Sequence, residues 1–283
     1  GLKYMFVPGW ALANGVIKEA PNFFSVVSTA GGQMFFSLSL GMAAMITYGS
    51  YLDKKENLQK NAIIIVVMDT LVALMAGLCV IPGRFALDPT GNLGGPSLLF
   101  VTMQNVFDRM GGAGPVFGIL FYLLVVFAAV SSSISLLEAV VAHFVDKARD
   151  QGKGDKRKAY SVLAGIAAGI LCVIVCLDSL GTAGISPADI LGMRGTMEKL
   201  PTWSADWLDF FDCIAEGILM PLGALLMSIM YGWEIGPEVV HAEATREGQS
   251  FGAYGWFKLC IKYITPLCML LVLYGQIKEF FFV

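Results

Sequence analysis

Charge is scarce in this sequence. Lysine, arginine, aspartate and glutamate make up 14% of its 283 residues, 56% are hydrophobic and mean hydropathy is +0.69. A soluble domain carries about 25% charged residues, so the shortage excludes an ordinary soluble fold. Strand-type alternation is missing and the apolar runs are long, which leaves membrane-spanning helices rather than a barrel. Histidine is nearly absent, with two residues, and the six cysteines (Cys79, Cys172, Cys176, Cys213, Cys260, Cys268) form no CxxC pair. A zinc site is therefore not expected. Cys172 and Cys176 share a helix face, which packing explains. The net charge of -3 is too small to suggest a nucleic-acid partner. No Ser/His/Asp set, metal cluster or phosphate-cradling loop is present, and His143 and His241 fall at a span end and in a loop. The chain is accordingly not expected to be an enzyme.

A signal-peptide pattern is also missing. The chain starts on Gly1 and runs into the aromatic stretch LKYMFVPGWAL. It reads as the remainder of a larger protein.

Long apolar stretches are what the sequence does have. About 20 such residues cross a bilayer, and six stretches qualify: 28–51, 61–83, 114–146, 159–178, 208–233 and 257–282. Between 92 and 111, NLGGPSLLFVTMQNVFDRMG is amphipathic and interrupted by Pro96, which predicts a short surface helix over one mouth. Pro82-Gly83, Asp88-Pro89-Thr90-Gly91 and Gly111-Gly112 punctuate its surroundings.

Basic residues favour the cytoplasmic side. Loop 52–60 holds Lys54, Lys55 and Lys60, loop 146–158 holds six basic residues, and segment 232–262 holds Arg246, Lys258 and Lys262. If the spans alternate, these twelve share one side against seven on the other. Both ends of the chain are then expected outside, in a multi-pass protein of the plasma or inner membrane.

Some residues break the apolar pattern. A charge at mid-bilayer costs at least about 2.5–3.5 kcal/mol, yet Asp69, Glu138 and Glu216 all lie inside spans. Each should face protein or a water-filled cavity, and a hydrogen-bonded pair between helices would explain any of them. Ser131, Ser132, Ser133 and Ser135 cluster in one span. A membrane serine often bonds back to the preceding turn or lets helices approach, but four in five positions also supply the oxygens that a hard cation such as sodium coordinates. In the span GQMFFSLSLGMAAMITYGSY, Gly32 to Tyr51, two hydroxyls and Gly41 stand at the centre. Glycine costs about 1 kcal/mol in a helix interior and eases an interruption. A broken helix frees backbone groups to bind ions and anionic substrate groups where they line a cavity.

That stretch resembles the sixth helix of the neurotransmitter:sodium symporters, a family with the leucine-transporter type of fold. The Asp69 helix, FAAVSSSISLLE, FDCIAEGILMPLG and KYITPL (Lys262 to Leu267) support the resemblance, in order and over nearly the whole chain. It implies an all-α partial fold in which residues 1–27 are the loop before helix six. Residues 28–233 would be helices six to ten, the second inverted repeat, with helix six unwound at its centre. Residues 234–256 would be a cytoplasmic loop and 257–283 helix eleven. Helices one to five, the partner half of the same protein, would be missing.

The resemblance also implies roles. Phe36, Ser39, Met42, Ser132 and Leu136 would line the substrate pocket, with Phe36 as its lid. Ser37 and Asp69 would bind a first sodium ion, and the Ala128 carbonyl, Ser131 and Ser132 a second. Gln33 would lie near the chloride position. Asp212 would be the outer gate acid, with Asp209 its rival, and Tyr51 and Asp146 would form the cytoplasmic gate. Many members carry Asn where Asp69 stands. A permanent carboxylate there would offset the positive charge of two sodium ions in a low-dielectric site, which implies chloride independence. Ala73 leaves that role to Asp69 alone. Met42 stands where an aromatic is common, and its pliability implies a roomy apolar pocket. The function implied is sodium-driven import of a neutral, hydrophobic amino acid across the lipid bilayer. Another small amine or osmolyte, a channel and an inactive structural half remain as alternatives. Alone, the chain would hold only part of each site and neither bind nor transport.

Overall fold

The structure is a computed structural model that describes residues 1–7, 9–87, 95–154, 156–194, 196–197 and 199–282. The punctuation at 88–91 and the first residues of the expected 92–111 helix lie outside them. The described residues are helical or irregular, with no strand among them. Among the described residues, five helices are long and apolar enough to cross a membrane: Leu58–Leu87, Gly111–Asp150, Arg157–Asp178, Trp207–Glu234 and Tyr254–Phe281. The remaining expected span, 28–51, the first in the chain, is split. Its halves are α3 (Phe23–Ser37) and α4 (Ala44–Tyr51).

The chain divides into two compact units, one of Gly1–Asn22 with Ile63–Ile134 and one of Phe23–Ala62 with Ser135–Val283. The first begins with two short helices, α1 (Leu2–Phe6) and α2 (Trp10–Ala13), in the region expected to be loop. They are held by α5 (Leu58–Leu87), where Phe85 meets the Tyr4 ring at 4.9 Å and the Trp10 ring at 5.9 Å. The amphipathic surface segment folds as a π-turn, Leu98–Thr102, running into α6 (Met103–Arg109). Phe107 of α6 packs on Phe121 at 5.5 Å, near the start of α7 (Gly114–Asp150). A mostly apolar cavity of about 720 Å³ opens there beside Gln104, Phe107, Gly118 and Tyr122.

The second unit holds α3, α4, the later turns of α7, and α8 (Arg157–Asp178). The fifth span is composite: α10 (Trp207–Asp212), a π-segment Cys213–Leu219, α11 (Met220–Ile229) and a second π-segment Met230–Glu234. Pro221 lies at its centre, where a missing N–H cannot extend the regular ladder. The sixth span joins α13 (Tyr254–Leu259), a π-segment Cys260–Ile264 and α14 (Thr265–Phe281). Short helices α9 (Pro187–Ile190) and α12 (Pro237–Ala244) lie in the connections.

The core of this unit is Phe35 on α3, Met220 on α11 and Val272 on α14. Glycines let these helices approach. A Cβ on Gly31 would meet Val272, one on Gly32 would meet Gln276, and one on Gly275 would meet Ser28. Polar groups then close the seam. The Ser28 hydroxyl donates to the Val272 carbonyl at 3.2 Å, Gln276 donates to the Ser28 carbonyl at 3.3 Å, and Thr29 donates to Glu279 at 3.0 Å. Each donor would otherwise lack a partner in an apolar setting, which is costly.

Candidate ion and substrate site

Helix α3 ends in a Schellman closure. The Leu40 amide reaches the Phe35 carbonyl at 2.8 Å and the Ser39 amide reaches the Phe36 carbonyl at 3.1 Å. This motif needs a left-handed residue after the helix, and Ser39 takes that place with φ 53°. Gly41 (φ 76°) and Ala43 (φ 63°) continue the turn, so three residues of the break are left-handed. Ala43 then opens α4 with no side-chain cap. The break thus presents carbonyls from the end of α3 and amides from the start of α4, each carrying the dipole charge of its half-helix.

The break is wedged against the fifth span. A Cβ on Gly41 would lie 2.2 Å from the Met220 carbonyl oxygen, and one on Gly223 would lie 2.5 Å from the Gly41 carbonyl oxygen. Backbone meets backbone here, which two glycines alone permit.

Within α3 the faces are divided. Ser28, Gly32 and Phe35 are buried, whereas Gln33, Phe36 and Ser37, spaced i, i+3, i+4 on the other face, are exposed, Phe36 by 55%. Three predicted site residues therefore share one face turned from the packing. Met42 behaves differently and packs against the Phe35–Met220–Val272 core.

In α7, Ala128, Ser131, Ser132 and Leu136 follow i, i+3, i+4, i+8 spacing and fall on one face. The Ser131 hydroxyl donates to the Ala128 carbonyl at 2.9 Å, which places two expected sodium ligands side by side. Ser133 is turned back to the Ala129 and Val130 carbonyls, the ordinary use of a membrane serine. Asp69 is half-buried in the middle of α5. The donor types in this set are all oxygen, which suits a hard cation.

The two gates come out unevenly. Tyr51, the last residue of α4, donates its phenol proton to Glu138 of α7, and Arg157 at the start of α8 donates to the same oxygen. The resemblance placed Tyr51 and Asp146 together in the cytoplasmic gate; Asp146 is exposed near the end of α7. Glu138 stands eight residues before it in the same helix and is the acid that the phenol meets. Glu138 is thus an interhelical pair, and Arg157 is the partner that sequence reasoning missed. On the other gate, Asp209 binds through its amide to the Asp206 cap at 2.7 Å, and Asp212 ends α10 three residues later.

A second missed residue is Asp178, fully buried at the end of α8. One of its oxygens accepts from the Trp207 amide at 2.8 Å, which ties α8 to the first turn of α10, the helix of Asp209 and Asp212. Nearby, Arg194 pairs with Asp189 at 3.0 Å and donates to the Gly181 carbonyl at 2.8 Å. The Ser186 hydroxyl, with Arg194 beside it, holds the Asp189 carboxyl below the usual aspartate range.

The basic segments share one face. Tyr51 and Arg157 meet at Glu138, and Gln249 donates to the Lys55 carbonyl at 2.6 Å, so loops 52–60, 146–158 and 235–253 adjoin.

Comparison with known proteins gives this arrangement a context. The model of the sodium:neurotransmitter symporter family matches residues 1–282. An uncharacterized sodium-dependent transporter of Bacillus subtilis, YhdH, is 32% identical over 277 residues, 96% of this chain and 54% of the relative. The rabbit (Oryctolagus cuniculus) sodium- and chloride-dependent creatine transporter 1 is 23% identical over 95% of this chain and 39% of its own length. The crystal structure of MhsT in complex with L-phenylalanine superposes with a TM-score of 0.73 at 30% identity, covering 94% of this chain and 58% of that one. The chain spans about half the length of the bacterial relatives it matches.

Proposed function

The chain belongs to the sodium:neurotransmitter symporter family, and from that premise we propose that the whole transporter imports a neutral, hydrophobic amino acid in symport with sodium. The observation that carries this reading is the break between α3 and α4. Its left-handed residues hold two half-helix ends open beside an exposed face of Gln33, Phe36 and Ser37. Half-helix ends of this kind bind the charged groups of amino acids and their coupling ions. The L-phenylalanine bound to MhsT supports the substrate class.

In this reading Ser37 and Asp69 bind one sodium ion, and the Ala128 carbonyl, Ser131 and Ser132 bind another. Phe36, Ser39, Met42, Ser132 and Leu136 form the chain's share of the substrate pocket. Since Met42 packs on the core, it acts as a pliable wall behind the break. Asp69 supplies a permanent negative charge, with Gln33 near it, and transport is independent of chloride. Asp212 closes the outer side. On the inner side Tyr51, Glu138 and Arg157 form a latch, with Asp146 adjoining. The basic face is cytoplasmic, so both ends of the chain face outside.

The helices that precede this region in its relatives complete each site, and the 283-residue chain alone neither binds nor transports. A competition panel of amino acids against sodium-driven uptake by the full transporter in liposomes tests the substrate class. Inhibition by leucine, phenylalanine and their like is expected. Inhibition by amines or osmolytes alone would overturn the reading.

A further inference from the structure

Pro266 stands four residues after Lys262 in the KYITPL stretch. In a regular helix the amide of residue 266 would bond the Lys262 carbonyl, and proline has no amide proton to give. The structure shows where that carbonyl turns. It accepts the indole N–H of Trp233 at 3.1 Å, from the end of the fifth span. Gly232 makes the approach possible, because a Cβ there would already lie 3.0 Å from the Ile261 carbonyl oxygen. The Trp233 ring is therefore fixed on the sixth span, and the Lys262 ammonium lies over it, 5.5 Å from the ring centre.

This joint has the chemistry of a membrane boundary. The fifth span ends at Glu234 and the sixth begins at Tyr254. Around the joint, Trp233, Tyr263 and Trp256 are exposed by 58%, 57% and 65%. Aromatic residues in such numbers at span ends mark headgroup depth. The two nearby lysines differ in charge balance. Lys258 pairs with Glu238 at 2.8 Å, whereas Lys262 is within no ion-pair distance of a carboxylate among the described residues and feels Glu238 only from further away. Its ammonium lies over an aromatic face, among side chains of the kind that mark headgroup depth. The adjoining loops 52–60 and 146–158 are basic as well, which adds long-range attraction for anionic lipid.

We infer that the Trp233–Lys262 joint binds the phosphate of an anionic phospholipid, with the lipid's acyl chains against Trp233 and Tyr263. Lys262 provides the charge, and the Trp233 ring, fixed by the carbonyl that Pro266 frees, holds the ammonium in place.

The test uses the purified full transporter carrying this chain. Native mass spectrometry titrates chain-matched phosphatidylglycerol and phosphatidylcholine against the wild type, K262Q and K262R. The wild type is expected to prefer phosphatidylglycerol. K262Q should weaken that binding about fivefold and leave phosphatidylcholine binding unchanged, and K262R should keep most of the preference. Equal phosphatidylglycerol binding by K262Q and wild type would overturn the proposal. So would displacement of the lipid by millimolar inorganic phosphate, which would make this a site for the free anion. A measurement on the wild type alone guards against a variant that does not fold. Phosphatidylglycerol with a photoreactive headgroup should label residues 231–234 and 256–263, and labelling confined to other segments refutes the assignment.

Discussion

Replacing Gly223 by alanine should impair transport, while the same change at Gly169 should not. Both glycines lie inside membrane helices, and alanine in a helix interior is favoured over glycine by about 1 kcal/mol. At Gly169 an added Cβ meets nothing within 4 Å, so that gain stands alone. At Gly223 the Cβ would lie 2.5 Å from the Gly41 carbonyl oxygen, a backbone atom with no rotamer to escape into. Relieving it means shifting the break between α3 and α4 or tilting α11. Overpacking of this kind costs about 1–3 kcal/mol. Net, Gly223→Ala runs from neutral to about 2 kcal/mol destabilising, and it separates from Gly169→Ala by about 1–3 kcal/mol. The thermal unfolding midpoint of the full transporter reads the difference in stability. Sodium-driven uptake reads the displacement of Ser39 and its neighbours. If Gly223→Ala were as stable and as active as Gly169→Ala, the wedging of the break by the fifth span would be refuted.

Other expectations follow from the same geometry. Gly41→Ala combines a left-handed backbone, costing about 1–2 kcal/mol, with a Cβ 2.2 Å from the Met220 carbonyl oxygen, so its loss of uptake should exceed that of Gly223→Ala. Tyr51→Phe removes one of the two donors to Glu138, and a hydrogen bond to a charged group is worth about 1.5–3 kcal/mol; a cysteine reporter on the cytoplasmic pathway should become more reactive, and unchanged reactivity would remove the latch from the account. Asp178→Ala removes a buried acceptor and leaves the part-buried Trp207 amide without it, at a cost of up to about 1–3 kcal/mol, and should lower the unfolding midpoint. The Lys258 hydrogen bond holds the Glu238 carboxyl below its ordinary value of 4.5. A depressed carboxylate contributes stability above its unfolded pKa and loses it as pH falls through its folded pKa, so the Glu238–Lys258 pair should be intact at neutral pH and fail only in acid below that value. Glu238→Gln should abolish that component of an acid titration of stability.

The spans were legible because hydropathy and length alone specify them. The break was legible because Ser37, Ser39 and Gly41 interrupt an otherwise apolar run, and the structure puts the helix end there. Glu138 was marked as an intramembrane acid needing a partner, but its partners were not readable. Tyr51 lies 87 residues away and Arg157 lies 19 away, and no local pattern encodes either distance. Asp178 closes the expected span 159–178, and a lone acid before Ser-Leu-Gly carries no sign of burial. Helices α1 and α2 were missed because segments of five and four residues are too short for periodicity to register. The π-segments are equally silent, although the Pro266 spacing does announce a carbonyl that must find a donor elsewhere. Met42 shows a limit of another kind: a position can be aligned with a pocket while its side chain serves the core behind it.

Uptake of labelled L-phenylalanine by the full transporter in liposomes, with the sodium gradient and the anion varied independently, bears most directly on the central claim. The account predicts saturable uptake that requires an inward sodium gradient and is unchanged when gluconate replaces chloride. Uptake indifferent to sodium would contradict the symport reading, and uptake abolished by chloride removal would contradict the role given to Asp69.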